Sequence, residues 1–145
     1  EHGLNSNRHL HRELAYKVIA DYPFFGIGSG NWMDVYPAYE TTETYGYGKL
    51  MHVHNDYLQL LAEQGIVGFL ILGSAILIAL GTMLGALRRR RDPLMRGILY
   101  GCVTATITFL IHALADFNFH IPANAAMFSV ILAMGLIAAR MPHDA

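Results

Sequence analysis

The run "IVGFLILGSAILIALGTMLGAL", Ile66 to Leu87, holds 22 residues and not one charge. As an α-helix it extends about 33 Å, enough to cross a hydrocarbon core about 30 Å thick. Two further apolar runs follow, "GILYGCVTATITFLIHALA" from Gly97 to Ala115 and "PANAAMFSVILAMGLIAA" from Pro122 to Ala139. A chain of 145 residues has too little interior to bury three such helices. Only 14% of its residues are charged, against about a quarter in soluble domains. The expected fold is therefore all-α: a polytopic membrane protein fragment with spans at about 66–87, 97–115 and 122–139.

Orientation follows from the basic residues. Arg88 to Arg91 and Arg96 separate the first two runs, and Arg140 follows the third, so six of the ten Lys and Arg residues mark one side. The positive-inside rule assigns that side, and the C-terminus, to the cytoplasm. Residues 1–65 and the "DFNFHI" loop then face the extracytoplasmic side. A net charge of −1 gives no footprint for nucleic acid. The one cysteine, Cys102, cannot form an intrachain disulfide. The opening "EHGLNSNRH" has no initiator methionine, and the chain reads as part of a longer protein.

The division is thus an outward segment, 1–65, and a membrane region, 66–145. Within the first, Leu10, Leu14, Val18 and Tyr22 recur at helical spacing. That predicts a helix over about 8–21, capped by Ser6 or Asn7 and stopped by Pro23. "PFFGIGSGNW" reads as a turn-rich loop and "AYETTETYGYGKL" as a mobile one. A second helix starts at Asn55 or Asp56, with Leu58, Leu61 and Ala62 on an apolar side and Asp56, Gln59 and Glu63 on a polar one. Gly65 suits its C-terminal cap.

Chemical capacity concentrates in "HVHNDYLQLLAEQG", His52 to Gly65. His52, His54 and Asp56 form an H-x-H-x-D pattern like the first zinc cluster of metallo-β-lactamase-type hydrolases, but Tyr57 stands where that cluster continues with histidine. No metal is expected. Histidines that only cap a helix at the membrane interface are the plain alternative. His112, Asp116 and His120 recur every four residues around the outer loop, where a hydrated helix end explains them as well as a functional role does. Gly26, Gly28 and Gly30 can bring backbone N–H groups to a phosphate, although a simple turn accounts for them too. Trp32, Tyr36, Tyr39, Tyr45 and Tyr47 offer faces for sugars, or ordinary interfacial anchoring.

His54-Asn55, nine residues, then Gly65-Ile66-Val67-Gly68 resembles the H-[NSQ]-x9-G-x-x-[GTY] motif of the bacterial O-antigen ligase family, which includes O-antigen polymerases and protein oligosaccharyltransferases. Upstream, Arg8 through Pro23 to "GIGSGNW" is similar to that family's periplasmic loop, and "HALADFNFHIPANA" to its C-terminal spans. An arginine is usually followed four residues on by Leu or Trp in the family; after Arg8 that position holds Arg12, so either arginine qualifies.

The resemblance implies an inverting glycosyltransferase needing no metal or other cofactor. It moves a glycan from an undecaprenyl-diphosphate carrier to a glycan, lipid or protein hydroxyl, in lipopolysaccharide or surface polysaccharide synthesis. It also implies His54 as base, and Arg8 or Arg12, Asn55, Asp56, Gly28 and Gly30 as substrate-binding. His52, Asp116 and His120 would support them. Family members have many more spans, so the remaining transmembrane helices of a longer parent, and membrane lipids, are expected neighbours. The contrasting expectation is a non-catalytic membrane subunit that docks a partner through residues 1–65.

Overall fold

A computed structural model describes residues 2–41 and 51–141, and within the first helix the side chains from His11 onward. The described residues are helical and contain no strand. The elements are α1 (His2–Asp21), a short α2 (Trp32–Val35) continued by a 3-10 turn (Tyr36–Tyr39), α3 (Asp56–Arg89), α4 (Pro93–His112) and α5 (Pro122–Arg140). A second 3-10 turn, Asn118–His120, precedes α5. Helices α3, α4 and α5 are each long and apolar enough to cross a membrane. Each exposes large apolar side chains: Leu70, Ile71, Leu77 and Ile78 of α3, Ile111 of α4 and Ile137 of α5 are each 60% exposed or more, which suits lipid rather than water. This is a multi-pass membrane protein.

The chain forms two units, Glu1–Leu72 with Ala113–Phe117, and Gly73–His112 with Asn118–Ala145. In the first, α1 buries Leu14, Ala15 and Val18 against Trp32, Tyr36, Val53 and Ala62. Ser6 and Asn7 lie inside α1 and do not cap it. Ser and Asn cost only tenths of a kcal/mol in a helix interior, so a residue able to cap need not do so. Tyr22 is exposed rather than on the buried stripe, whose members are His11, Leu14, Ala15 and Val18. Trp32 and Tyr36 stack at 5.9 Å inside this core and offer no open sugar platform. The Tyr39 hydroxyl donates to Asp21 Oδ2 at 2.7 Å. Tyr45, Tyr47 and most of the loop expected to be mobile lie outside the described residues.

Gly65 ends the first helical stretch of α3, as the sequence expects: at that single residue φ +64° and ψ −173° are non-helical, and a second stretch continues beyond the kink. The first turn beyond the bend is tied to the loop after α1. There Ile66 N–H donates to the Pro23 carbonyl at 2.9 Å and Val67 N–H to that of Phe24 at 3.1 Å.

In the second unit Met83, Ala86, Leu99, Cys102, Val103 and Ala138 form the core. Gly135 lets α5 approach Met83 and Cys102, where a Cβ would collide with the Met83 sulfur. Helix α4 starts at Pro93, with Asp92 Oδ1 accepting the Leu94 N–H at 2.8 Å. It ends at His112, short of the expected Ala115, and Ala113–Phe117 joins the first unit.

Candidate functional site

The turn that carries His54 is built from both of its sides. Asn55 Oδ1 accepts the Leu58 N–H at 3.0 Å, so Asn55, not Asp56, caps α3. Its Nδ2 donates to the Leu114 carbonyl at 2.9 Å, and Asp56 N–H donates to the Ala113 carbonyl at 2.9 Å. Those two carbonyls fix the chain that follows α4 against the 54–56 turn. His54 itself has φ +55°, the one described non-glycine residue with a left-handed backbone. That conformation costs on the order of 1 kcal/mol and persists only where surroundings over-determine it.

The surroundings here are specific. The His54 ring stacks on His11 at 5.6 Å and meets the edge of Phe117 at 5.0 Å. Its Nδ1 lies 3.7 Å from Asp116 Oδ1, longer than a hydrogen bond but close enough to pair with an imidazolium. His52 stacks on Phe117 at 4.5 Å. Among the described residues His11 Nδ1, Arg12 Nε and His54 Nδ1 are buried without a hydrogen-bond partner. Three such atoms from neighbouring residues are unusual, since each leaves about 1–3 kcal/mol of desolvation unrecovered.

His11 was not legible as a functional residue, although it falls on the stripe of Leu14, Ala15 and Val18 and is 8% exposed. Burial, with repulsion from a charged His54 adding to it, holds its pKa below the ordinary value; a hydrogen bond to the His52 backbone opposes them only in part. Arg12 is half-buried on the same helix. The Arg8 side chain lies outside the described residues.

The expected polar side of the second helix is a buried side. Asp56, Gln59 and Glu63 are 5%, 2% and 5% exposed. Glu63 is a hub: Gly30 N–H donates to Oε2 at 2.9 Å and Gln59 Nε2 to Oε1 at 3.1 Å. Gln59 Oε1 accepts the Val53 N–H at 3.1 Å, and its Nε2 lies 3.4 Å from His52 Nδ1. Gly28 N–H donates to the Glu63 carbonyl at 2.8 Å. The N–H groups of Gly28 and Gly30, which the sequence offered to a phosphate, are bonded to Glu63, and both residues have the positive φ that favours glycine. A Cβ on Gly26 would come within 3.0 Å of the Glu63 backbone, and one on Gly65 within 3.0 Å of the Phe24 carbonyl. Two glycines thus press the loop after α1 into the bend of α3.

Of the expected supporting residues, His52 and Asp116 share the unit of His54, whereas His120 belongs to the second unit. Among the described residues no three His, Cys, Asp or Glu side chains are grouped to hold a metal ion. The assembled chemistry is a ring with one nitrogen toward a carboxylate, in a unit that also holds a half-buried arginine. Histidine in such a setting can take a proton from an alcohol.

A family profile described as O-antigen ligase matches residues 1–73. None of the curated proteins matches the chain at a significant level.

Proposed function

Because this chain belongs to the O-antigen ligase family, a family of multi-pass membrane glycosyltransferases, we propose that its first unit carries the transfer site of an inverting, metal-independent reaction. In it, a glycan leaves undecaprenyl diphosphate for an acceptor hydroxyl, with His54 as base. Asp116 near Nδ1 favours the tautomer protonated there and leaves the other ring nitrogen to act as base. That nitrogen removes the acceptor proton as the oxygen bonds to the anomeric carbon and the bond to the diphosphate breaks. The imidazolium so formed pairs with Asp116. The departing diphosphate gathers negative charge, which a guanidinium stabilises by charge-assisted hydrogen bonds. Arg12 is half-buried next to His11, and its Nε is unpartnered among the described residues. This favours Arg12; Arg8, a turn earlier on α1, is the alternative. Asn55 and Asp56 orient the turn, and the basic residues between α3 and α4 support a periplasmic first unit in the inner membrane.

The observation that carries this reading is the His54 ring, held on a strained backbone between His11 and Phe117 with a carboxylate at Nδ1. Replacing His54→Ala in the full-length protein should abolish glycan transfer while expression and membrane insertion persist. Undiminished transfer by that variant would end the base assignment.

A further inference from the structure

On a stripe that otherwise carries Leu14, Ala15 and Val18, His11 is an anomaly. A leucine there would pack equally well and leave no buried nitrogen unpaired, whereas His11 Nδ1 has no partner among the described residues. A buried nitrogen left unpaired is destabilising, so packing alone does not account for the residue. Two contacts do. The ring lies face to face with His54, centroids 5.6 Å apart and planes 29° apart. It also makes a hydrogen bond to the backbone of His52, two residues before His54. Phe117 meets the same His54 ring in a T-shaped contact, centroids 5.0 Å apart. The His54 ring is thereby held against α1, whose next residue is Arg12.

We infer that His11 is a positioning residue for transfer: it fixes the His54 ring against α1 and so sets the spacing between the base and the α1 arginine. The inference rests on the function proposed above. Acceptor activation and leaving-group stabilisation occur at opposite ends of one displacement, so the two groups must hold a constant separation. A misplacement of about 1 Å at such a site lowers rates by up to about 100-fold. Loss of His11 leaves both the base and the arginine present and removes only their register.

The test uses the full-length protein, a lipid-diphosphate-linked glycan and its acceptor, with His11→Phe, His11→Ala and His54→Ala compared. His11→Phe keeps a ring for stacking and an apolar fit to the stripe, so it folds even where the alanine variant does not. Expected is a kcat lowered about 10- to 100-fold in His11→Ala and by less in His11→Phe. The KM for the donor should stay within about threefold of wild type in both, because the arginine is untouched. Wild-type kcat in both variants, or a loss that only tracks the amount of folded protein, overturns the positioning role. So does a rise in donor KM at unchanged kcat. An inactive His54→Ala beside fully active His11 variants removes this inference alone, whereas an active His54→Ala removes the reading beneath it as well.

Discussion

Gly65→Ala puts the bend in α3 to the test. The native backbone there, φ +64° and ψ −173°, lies in a region essentially reserved for glycine, and an alanine held in it costs about 1–3 kcal/mol. The new methyl also collides with the Phe24 backbone, which cannot swing aside like the end of a flexible side chain. Overpacking of that kind adds about 1–3 kcal/mol, so the expected destabilisation is about 2–6 kcal/mol. If the loop yields instead, the bonds from Ile66 to Pro23 and from Val67 to Phe24 are lost. Gly73→Ala is the matched control, since nothing lies within 4 Å of the added atom. In the full-length protein in detergent, Gly65→Ala should lower the Tm clearly and abolish transfer, with Gly73→Ala at or above wild type. Equal melting of Gly65→Ala, Gly73→Ala and wild type would refute the clash and the strained conformation together.

Asn55→Ala removes the helix cap and the donor to Leu114 and should cost about 1–2 kcal/mol. Asn55→Ser keeps the cap and should recover about half of it, as thermal melts of the pair would show. Glu63→Ala strands the Gly30 N–H and the Gln59 amide, at about 1–3 kcal/mol for each buried group left unpaired. Glu63→Gln retains one acceptor and should fall between alanine and wild type in chemical denaturation. His11 has a depressed pKa in the folded protein. Its stability contribution is complete above the ordinary imidazole value of about 6.5 and declines as pH falls below it. Between pH 7 and 5, His11→Phe should therefore lose less stability than wild type, and parallel pH–stability curves would contradict this.

The spans could be read from sequence because lipid imposes a long, uncharged run that no loop or soluble strand of this length shares. The motif residues could be read as well: Asn55 is a short acceptor ahead of a helical period, and Gly65 sits where that period meets the first apolar run. What stayed hidden was long-range. Nothing local to "HALADF" says that the Ala113 and Leu114 carbonyls return to the 54–56 turn, cutting α4 short. Nor does "GIGSG" show that Glu63, more than thirty residues away, takes two of its N–H groups. Glu63 and Gln59 look like a wetted face because charge usually is one; here Glu63 bonds the glycine loop, and Gln59 bonds Val53 and Glu63 itself. His11 was masked by Arg12 beside it, although its place on the Leu14–Val18 stripe already marked it as buried.

Between Asn55 and the bend at Gly65 lie nine helical residues, a rod about 14 Å long. One residue more or fewer in that rod would swing the imidazole by about 100° as well as shift its height. On the proposed transfer, with the bend at the lipid boundary, the rod would act as a gauge read from the carrier end. The first sugar above the diphosphate would then stand at a set altitude, and a polymer of any length would be handled at that same bond.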